Sequence, residues 1–119
     1  MQDTTILWAD DEIDLLRPHV LFLSEKGYNV ETLSEPEKFF KVLKVLKPNL
    51  ILIDLWMPNL SGEDIIKKMK SDEKLKDIPV IVISASKDTE KIAKSLKSDD
   101  FLYKPFDIAQ LEAVVDKYL

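Results

Sequence analysis

Two patterns predict an α/β fold, doubly wound around a five-stranded parallel sheet. Short β-branched apolar runs alternate strictly with longer amphipathic stretches, five of each. That alternation is the mark of a parallel sheet covered by helices on both faces. Three of the short runs, Ile6–Ala9, Leu50–Ile53 and Val80–Ile83, are continuously apolar, as strands buried on both faces require.

The elements follow in order. Ile6–Ala9 is the first strand. Leu15–Lys26 reads as a helix with Leu15, Leu16, Val20 and Leu23 on one stripe. Asp14 is its expected N-cap, which leaves Pro18 one turn in, where it loses a single hydrogen bond. Gly27 is a C-cap signal. Tyr28–Leu33 alternates and so predicts an edge strand. Glu35–Leu46 carries Phe39, Val42, Leu43 and Leu46 on one face. Ser34 with Glu37 reads as its capping pair, and Pro36 suits the first turn. Pro48 and Pro79 each precede a strand. Glu63–Met69 presents Ile65, Ile66 and Met69, and the lysine-rich stretch Lys67–Lys76 reads as a solvated helix face. Lys87–Lys97 presents Ile92, Ala93 and Leu96. Phe101–Tyr103 is the last strand, and Asp107–Leu119 the last helix, with Asp107 and Gln110 as cap. No repeat, low-complexity tract or linker interrupts the pattern, so residues 1–119 are expected to form a single domain.

Composition narrows the chemistry. With no cysteine, disulfides, thiolate metal sites and cysteine nucleophiles are excluded. A single histidine, His19, nearly excludes His-rich metal sites and His-based triads, and it reads as structural or solvated. The net charge of −5 argues against nonspecific binding of nucleic acid or anionic membrane. No apolar run approaches the ~20 residues of a membrane span. Met1–Thr5 is polar without a basic region, so no signal peptide is expected.

In an open parallel sheet, ligands bind outside the carboxyl ends of the strands. The first apolar run ends in Asp10-Asp11-Glu12, the third in Asp54, the fourth in Ser84 and the fifth in Lys104. Strand-end Asp and Ser residues also serve as plain helix caps, but four strand ends agree here, and a lysine at one of them is not explained by capping. Carboxylates ~4 Å apart repel by about 4 kcal/mol at an effective dielectric of 20, so the cluster calls for a cation. Hard oxygen ligands and an open site point to Mg²⁺. A carboxylate beside Mg²⁺ can attack a phosphoryl group and become an aspartyl phosphate. The lysine and the serine hydroxyl would then meet the phosphoryl oxygens. With only two glycines there is no Gly-rich phosphate loop, so the phosphoryl donor must arrive already activated.

These residues resemble the receiver domain of two-component response regulators, over nearly the whole chain. The matching motifs are Ile-Leu-Trp-Ala-Asp-Asp-Glu at 6–12, Asp-Leu-Trp-Met-Pro at 54–58 followed by Gly62, Ile-Ser-Ala at 83–85 and Lys-Pro-Phe at 104–106. The resemblance implies a flavodoxin-like sheet in the order 2-1-3-4-5. It implies that Asp54 is the phosphoacceptor, and that Asp10, Asp11, Asp54 and the Trp56 carbonyl hold Mg²⁺, with Asp10 acting partly through water. Ser84 takes the place of the switch hydroxyl, Lys104 of the phosphate-binding lysine and Phe101 of the switch aromatic. Trp56 and Ser86 take the two positions at the rim of the phosphate's approach.

By the same resemblance the donor is a histidine kinase or histidine phosphotransfer protein. The output partner would meet the face formed by the fourth helix, fifth strand and fifth helix. The domain itself would bind neither nucleic acid nor membrane, would be cytoplasmic, and would catalyse only its own phosphorylation and dephosphorylation. Three departures stand out. Phe101 lacks the hydroxyl of the commoner tyrosine. Lys97-Ser98 replaces a usual Gly-Ala pair, so Lys97 either takes a left-handed conformation or the turn differs. Trp56 is large for its position, which a surface aromatic without a role would also explain, and Phe101 would also serve as plain core. A phosphohydrolase of the haloacid-dehalogenase kind would need an Asp where Trp56 stands. A receiver acting only as a constitutive dock would be favoured had Asp11, Asp54 or Lys104 been lost.

Overall fold

The computed structural model describes residues 4–57 and 61–119, so Met1–Asp3 and the motif residue Pro58 lie outside the described residues. Its strands are β1 (Thr5–Ala9), β2 (Asn29–Leu33), β3 (Leu50–Asp54), β4 (Val80–Ser84) and β5 (Asp100–Tyr103). Its helices are α1 (Arg17–Glu25), α2 (Phe39–Leu46), α3 (Gly62–Lys70), α4 (Thr89–Ser95) and α5 (Ile108–Tyr118). The sheet is parallel throughout in the order β2-β1-β3-β4-β5. The alternating run Tyr28–Leu33 therefore does supply an edge strand.

The continuous apolar runs serve two cores at once. On one face Leu7, Ala9, Ile51, Ile53, Val80 and Val82 pack with Phe39, Leu43, Ile65, Ile66, Met69 and Ala93 from α2, α3 and α4. On the other, Ile6, Trp8, Leu50, Leu52, Ile81 and Ile83 pack with Leu23, Leu111 and Val115 from α1 and α5. Successive strand residues point to opposite faces, so every position of β1, β3 and β4 needs an apolar side chain, except the polar residues at their ends.

Caps and turns depart from the sequence reading in three places. The chain after β1 first makes a 3₁₀ turn, Ile13–Leu16, with Glu12 rather than Asp14 at its N-cap. α1 begins only at Arg17, so Pro18 sits at the start of the helix and its missing N–H has no partner to lose. That turn carries Leu15 off the buried stripe, and it is 73% exposed. A second 3₁₀ turn, Pro36–Lys38, precedes α2, with Glu35 at its N-cap and no side-chain cap, so Ser34 does not cap this helix. α3 ends at Lys70, and the remainder of the stretch to Lys76 is turn, largely exposed, rather than helix face. Asp107 and Gln110 do form a reciprocal capping box on α5. Gly27 ends α1 with φ of +102°, and Lys97 is left-handed with φ of 60°.

Candidate functional site

Parallel topology places the ends of β1, β3, β4 and β5 along one edge of the sheet. Asp10 follows β1 and is fully buried; Asp54 and Ser84 close β3 and β4 and are nearly so. Lys104 follows β5 and reaches back across the edge. Its Nζ lies 3.0 Å from Asp54 Oδ2 and 3.0 Å from Asp10 Oδ2. The contact with Asp54 has hydrogen-bond geometry. The contact with Asp10 is an ion pair only, and Asp10 Oδ2 has no hydrogen-bond donor. The other oxygen of each carboxylate is held by main chain. Glu12 N–H donates to Asp10 Oδ1 at 2.8 Å and Trp56 N–H to Asp54 Oδ1 at 3.1 Å.

Electrostatics follow from this packing. Burial pushes the Asp54 carboxyl above its usual range; the Trp56 amide and Lys104 oppose that without cancelling it. Burial acts to lower Lys104, but its close contacts with the Asp10 and Asp54 carboxylates and their charges outweigh it, so the ammonium is held more firmly than usual. One lysine thus serves two carboxylates. The carboxylates of Asp10, Asp11 and Glu12 gather within 4.8 Å of one another, Asp11 and Glu12 exposed to solvent. An all-oxygen donor set with one buried, undonated carboxylate oxygen fits a hard divalent cation such as Mg²⁺.

Ser84 Oγ accepts the Ser86 amide at 3.1 Å, which leaves the hydroxyl proton free for another acceptor. Ser86 is half-buried and its own hydroxyl accepts the Asp88 amide at 3.1 Å. Trp56 has its main chain in the site, while the residue as a whole is 71% exposed. Phe101 is half-buried against the α4 side of the sheet and meets the Tyr103 ring edge-on at 5.4 Å. His19 is structural, with Nε2 3.3 Å from the Phe106 carbonyl and its ring edge-on to Phe106.

Three further residues of the site receive no role of their own from the sequence. Glu12 joins the acidic cluster. Thr89, fully buried in α4, donates its hydroxyl to the Ser86 carbonyl and so braces the loop beyond Ser84. Gly62 packs directly on the main chain of Asp54 and Leu55. Glu12 and Gly62 lie in or beside recognisable motifs, whereas Thr89 looks like any helix residue.

Known proteins resemble this chain in sequence and fold. The chain is 38% identical over 112 residues to the response regulator GtcR of Aneurinibacillus migulanus, covering 92% of this chain and 44% of the relative. It is 31% identical to the phosphate regulon transcriptional regulatory protein PhoB of Pseudomonas aeruginosa, covering 97% and 53%. The chain spans about half the length of the curated relatives it matches. The fold superposes on the chemotaxis response regulator CheY4 of Vibrio cholerae with a TM-score of 0.88 at 22% identity, covering 99% and 100% of the two chains. It also superposes on the signal receiver domain of a signal transduction histidine kinase from Syntrophus aciditrophicus, with a TM-score of 0.85 at 28% identity, covering 98% and 89%. The family model for the response regulator receiver domain matches residues 6–116, so the chain belongs to that family.

Proposed function

We propose that residues 1–119 are one receiver domain, in which Asp54 accepts a phosphoryl group and thereby switches a partner-binding surface. The observation that carries this reading is the sharing of Lys104 between Asp10 and Asp54 at 3.0 Å each. A site with two buried carboxylates and one lysine is short of positive charge. Asp10, Asp11 and Asp54, with the main-chain carbonyl of Trp56, would hold Mg²⁺, whose charge when bound offsets that of the phosphoryl oxygens.

The donor is a phosphohistidine of a kinase or phosphotransfer protein. An Asp54 carboxylate oxygen attacks phosphorus and a P–O bond forms. The P–N bond to the donor imidazole breaks, and its electron pair returns to the ring nitrogen. Lys104 neutralises one phosphoryl oxygen and the free Ser84 hydroxyl proton meets another. The 73% exposed Leu15 stands at a cavity of about 300 Å³ that also meets Lys104, an apolar foothold for the donor beside the acceptor.

Output follows from the loops that carry these groups. Ser84 leads into α4 through Thr89, and the Lys104 amide is bonded to the Ser84 carbonyl at 2.9 Å, so a shift of either moves both. The exposed Tyr103 is the sheet partner of Ser84, and Phe101, two residues earlier on β5, meets its ring edge-on. The face of α4, β5 and α5 is the surface remodelled for the partner. The test is incubation with acetyl phosphate and Mg²⁺, followed by intact mass. One phosphoryl group should be gained by the parent and none by Asp54→Asn or by the parent in chelator. Full labelling of a folded Asp54→Asn variant would overturn the assignment.

A further inference from the structure

Charge is unevenly placed along this acidic chain. Residues 38–76 carry nine lysines and five acids, whereas the other residues carry eight basic groups and 17 acids. The basic face so formed is built by α2, α3 and the turn after α3. One of its five acids, Asp54, closes β3 at the far end of the strand, away from that turn.

Some of these lysines are occupied. Lys38 pairs with Glu35, Lys70 with Asp99 and Lys76 with Glu73. Lys68 lies over the Phe40 ring at 4.5 Å. Lys41, Lys44, Lys47, Lys67 and Lys74 are exposed and make no ion pair among the described residues. Three of them, Lys44, Lys47 and Lys74, rim a groove of about 640 Å³ between the end of α2 and the turn before β4. Its floor is apolar, formed by Leu43, Pro48, Leu75 and Ile78. Asp72 also lines it, with one carboxylate oxygen taken up by the Lys74 amide at 2.8 Å.

Ordinary helix chemistry accounts for part of this. A lysine in the last turn of α2 complements the helix dipole, which explains Lys44. It does not explain Lys74, which lies in no helix. Lys47, at the C-cap of α2, is favoured by the same dipole, but it stands in the left-handed region with φ of 50° and ψ of 62°, as Lys97 does after α4 with φ of 60°. Glycine is the usual residue there and a lysine is strained. Strained residues of this kind concentrate at functional sites.

We propose that this groove docks an acidic peptide segment of a partner protein, with its apolar side chains on the Leu43–Ile78 floor and its carboxylates against Lys44, Lys47 and Lys74. The volume suits a few side chains. An apolar floor has no use for a nucleic-acid backbone, and the groove offers neither arginine nor an aromatic for a base to stack on. A concave surface does not lie against a bilayer. The groove is on the opposite end of the strands from Asp54, so docking there leaves the phosphorylation site open.

The probe is a short acetylated peptide of alternating Glu-Glu and Leu-Leu pairs, titrated into the isotope-labelled chain. Amide shifts should cluster at 43–48 and 72–78 and spare Asp10, Asp54 and Lys104. Reversing the rim charges together (Lys44→Glu, Lys47→Glu, Lys74→Glu) should weaken binding by about tenfold or more without changing the melting curve by more than a few degrees, since all three side chains are exposed. Absence of binding, shifts elsewhere, or equal binding of a peptide with Ser in place of Leu would overturn the proposal. So would stronger perturbation of the same residues by duplex DNA or by anionic phospholipid vesicles.

Discussion

Gly62 lies so close behind Asp54 that a Cβ on it would stand 2.5 Å from the Asp54 carbonyl oxygen and 2.8 Å from Leu55 Cα. Its amide donates to the Leu55 carbonyl at 3.0 Å, so α3 starts in contact with the strand end that carries the phosphoacceptor candidate. The obstructing atoms are main chain on both sides and cannot rotate away. Gly62→Ala should therefore push α3 off the Asp54 loop, at a cost of about 1–3 kcal/mol. A melting temperature several degrees lower and slower labelling by acetyl phosphate are expected. A variant that melts and labels like the parent would show that the loop has room to yield.

The coupling route from the site to the surface is open to a direct test. Beryllium trifluoride stands in for the phosphoryl group on Asp54. With Mg²⁺ present, hydrogen-exchange changes should fall in 84–97 and 101–111, where Ser84, Thr89 and Lys104 are joined by main-chain contacts and Tyr103, the sheet partner of Ser84, meets Phe101. The α2 helix should change little, because none of those side chains bonds to it. Changes spread evenly over the domain, or confined to α2, would exclude this route.

The far end of β5 has an electrostatic clamp of its own. Burial pushes the Asp100 carboxyl up, but the Phe101 amide, the Lys117 ammonium and the Tyr118 hydroxyl, at 2.9, 3.0 and 3.1 Å, together hold it below the usual carboxylate range. A depressed pKa in the folded chain stabilises it in full above the unfolded value of about 3.9, and that stability is lost as pH falls through the folded value. Asp100→Asn should cost about 1 kcal/mol at neutral pH, the size of a hydrogen bond to a charged partner discounted for exposure. In urea melts the gap between parent and variant should close as pH drops below about 4. A gap independent of pH would mean that hydrogen-bond shape, and not charge, holds this corner.

What was legible in the sequence and what was not divide along physical lines. Ile6–Ala9, Leu50–Ile53 and Val80–Ile83 announced strands because a two-faced core demands apolar residues at every step, and the helices between them followed. The polar residues ending those runs announced the site, since the carboxyl edge of a parallel sheet is where ligands go. The 3₁₀ turns are not legible: Ile13–Leu16 runs straight into the apolar spacing of α1, which puts Leu15 on the wrong face, and Pro36–Lys38 carries the proline and acid of an ordinary helix start. Thr89 is not legible because a threonine in the first turn of a helix looks the same whether or not its hydroxyl turns back to the carbonyl three residues earlier, as it does here to Ser86. The groove beside Lys47 depends on Leu43 and Leu75 meeting across separate elements, again invisible in a linear reading.

The lifetime of the aspartyl phosphate proposed at Asp54 is expected to turn on Trp56. Water must attack in line, opposite the Asp54 oxygen, and Trp56 and Ser86 stand at the positions two after Asp54 and Ser84. The Trp56 amide is fixed by its 3.1 Å bond to Asp54 Oδ1, so the indole is tethered at the rim of the site although most of it is in solvent. Neither the indole nor the Ser86 hydroxyl, which is already engaged by the Asp88 amide, offers an amide or carboxylate to orient the attacking water. An indole free to swing can fold over the bound phosphoryl group and shut water out. Trp56→Asn removes that cover and supplies an orienting amide. Loss of phosphate after donor removal should then quicken by about tenfold, equivalent to ~1.4 kcal/mol. Trp56→Leu, which keeps an apolar cover and adds no amide, should fall between the two. Equal or slower decay in Trp56→Asn would rule out a lid and leave the exposed indole as a contact for a partner.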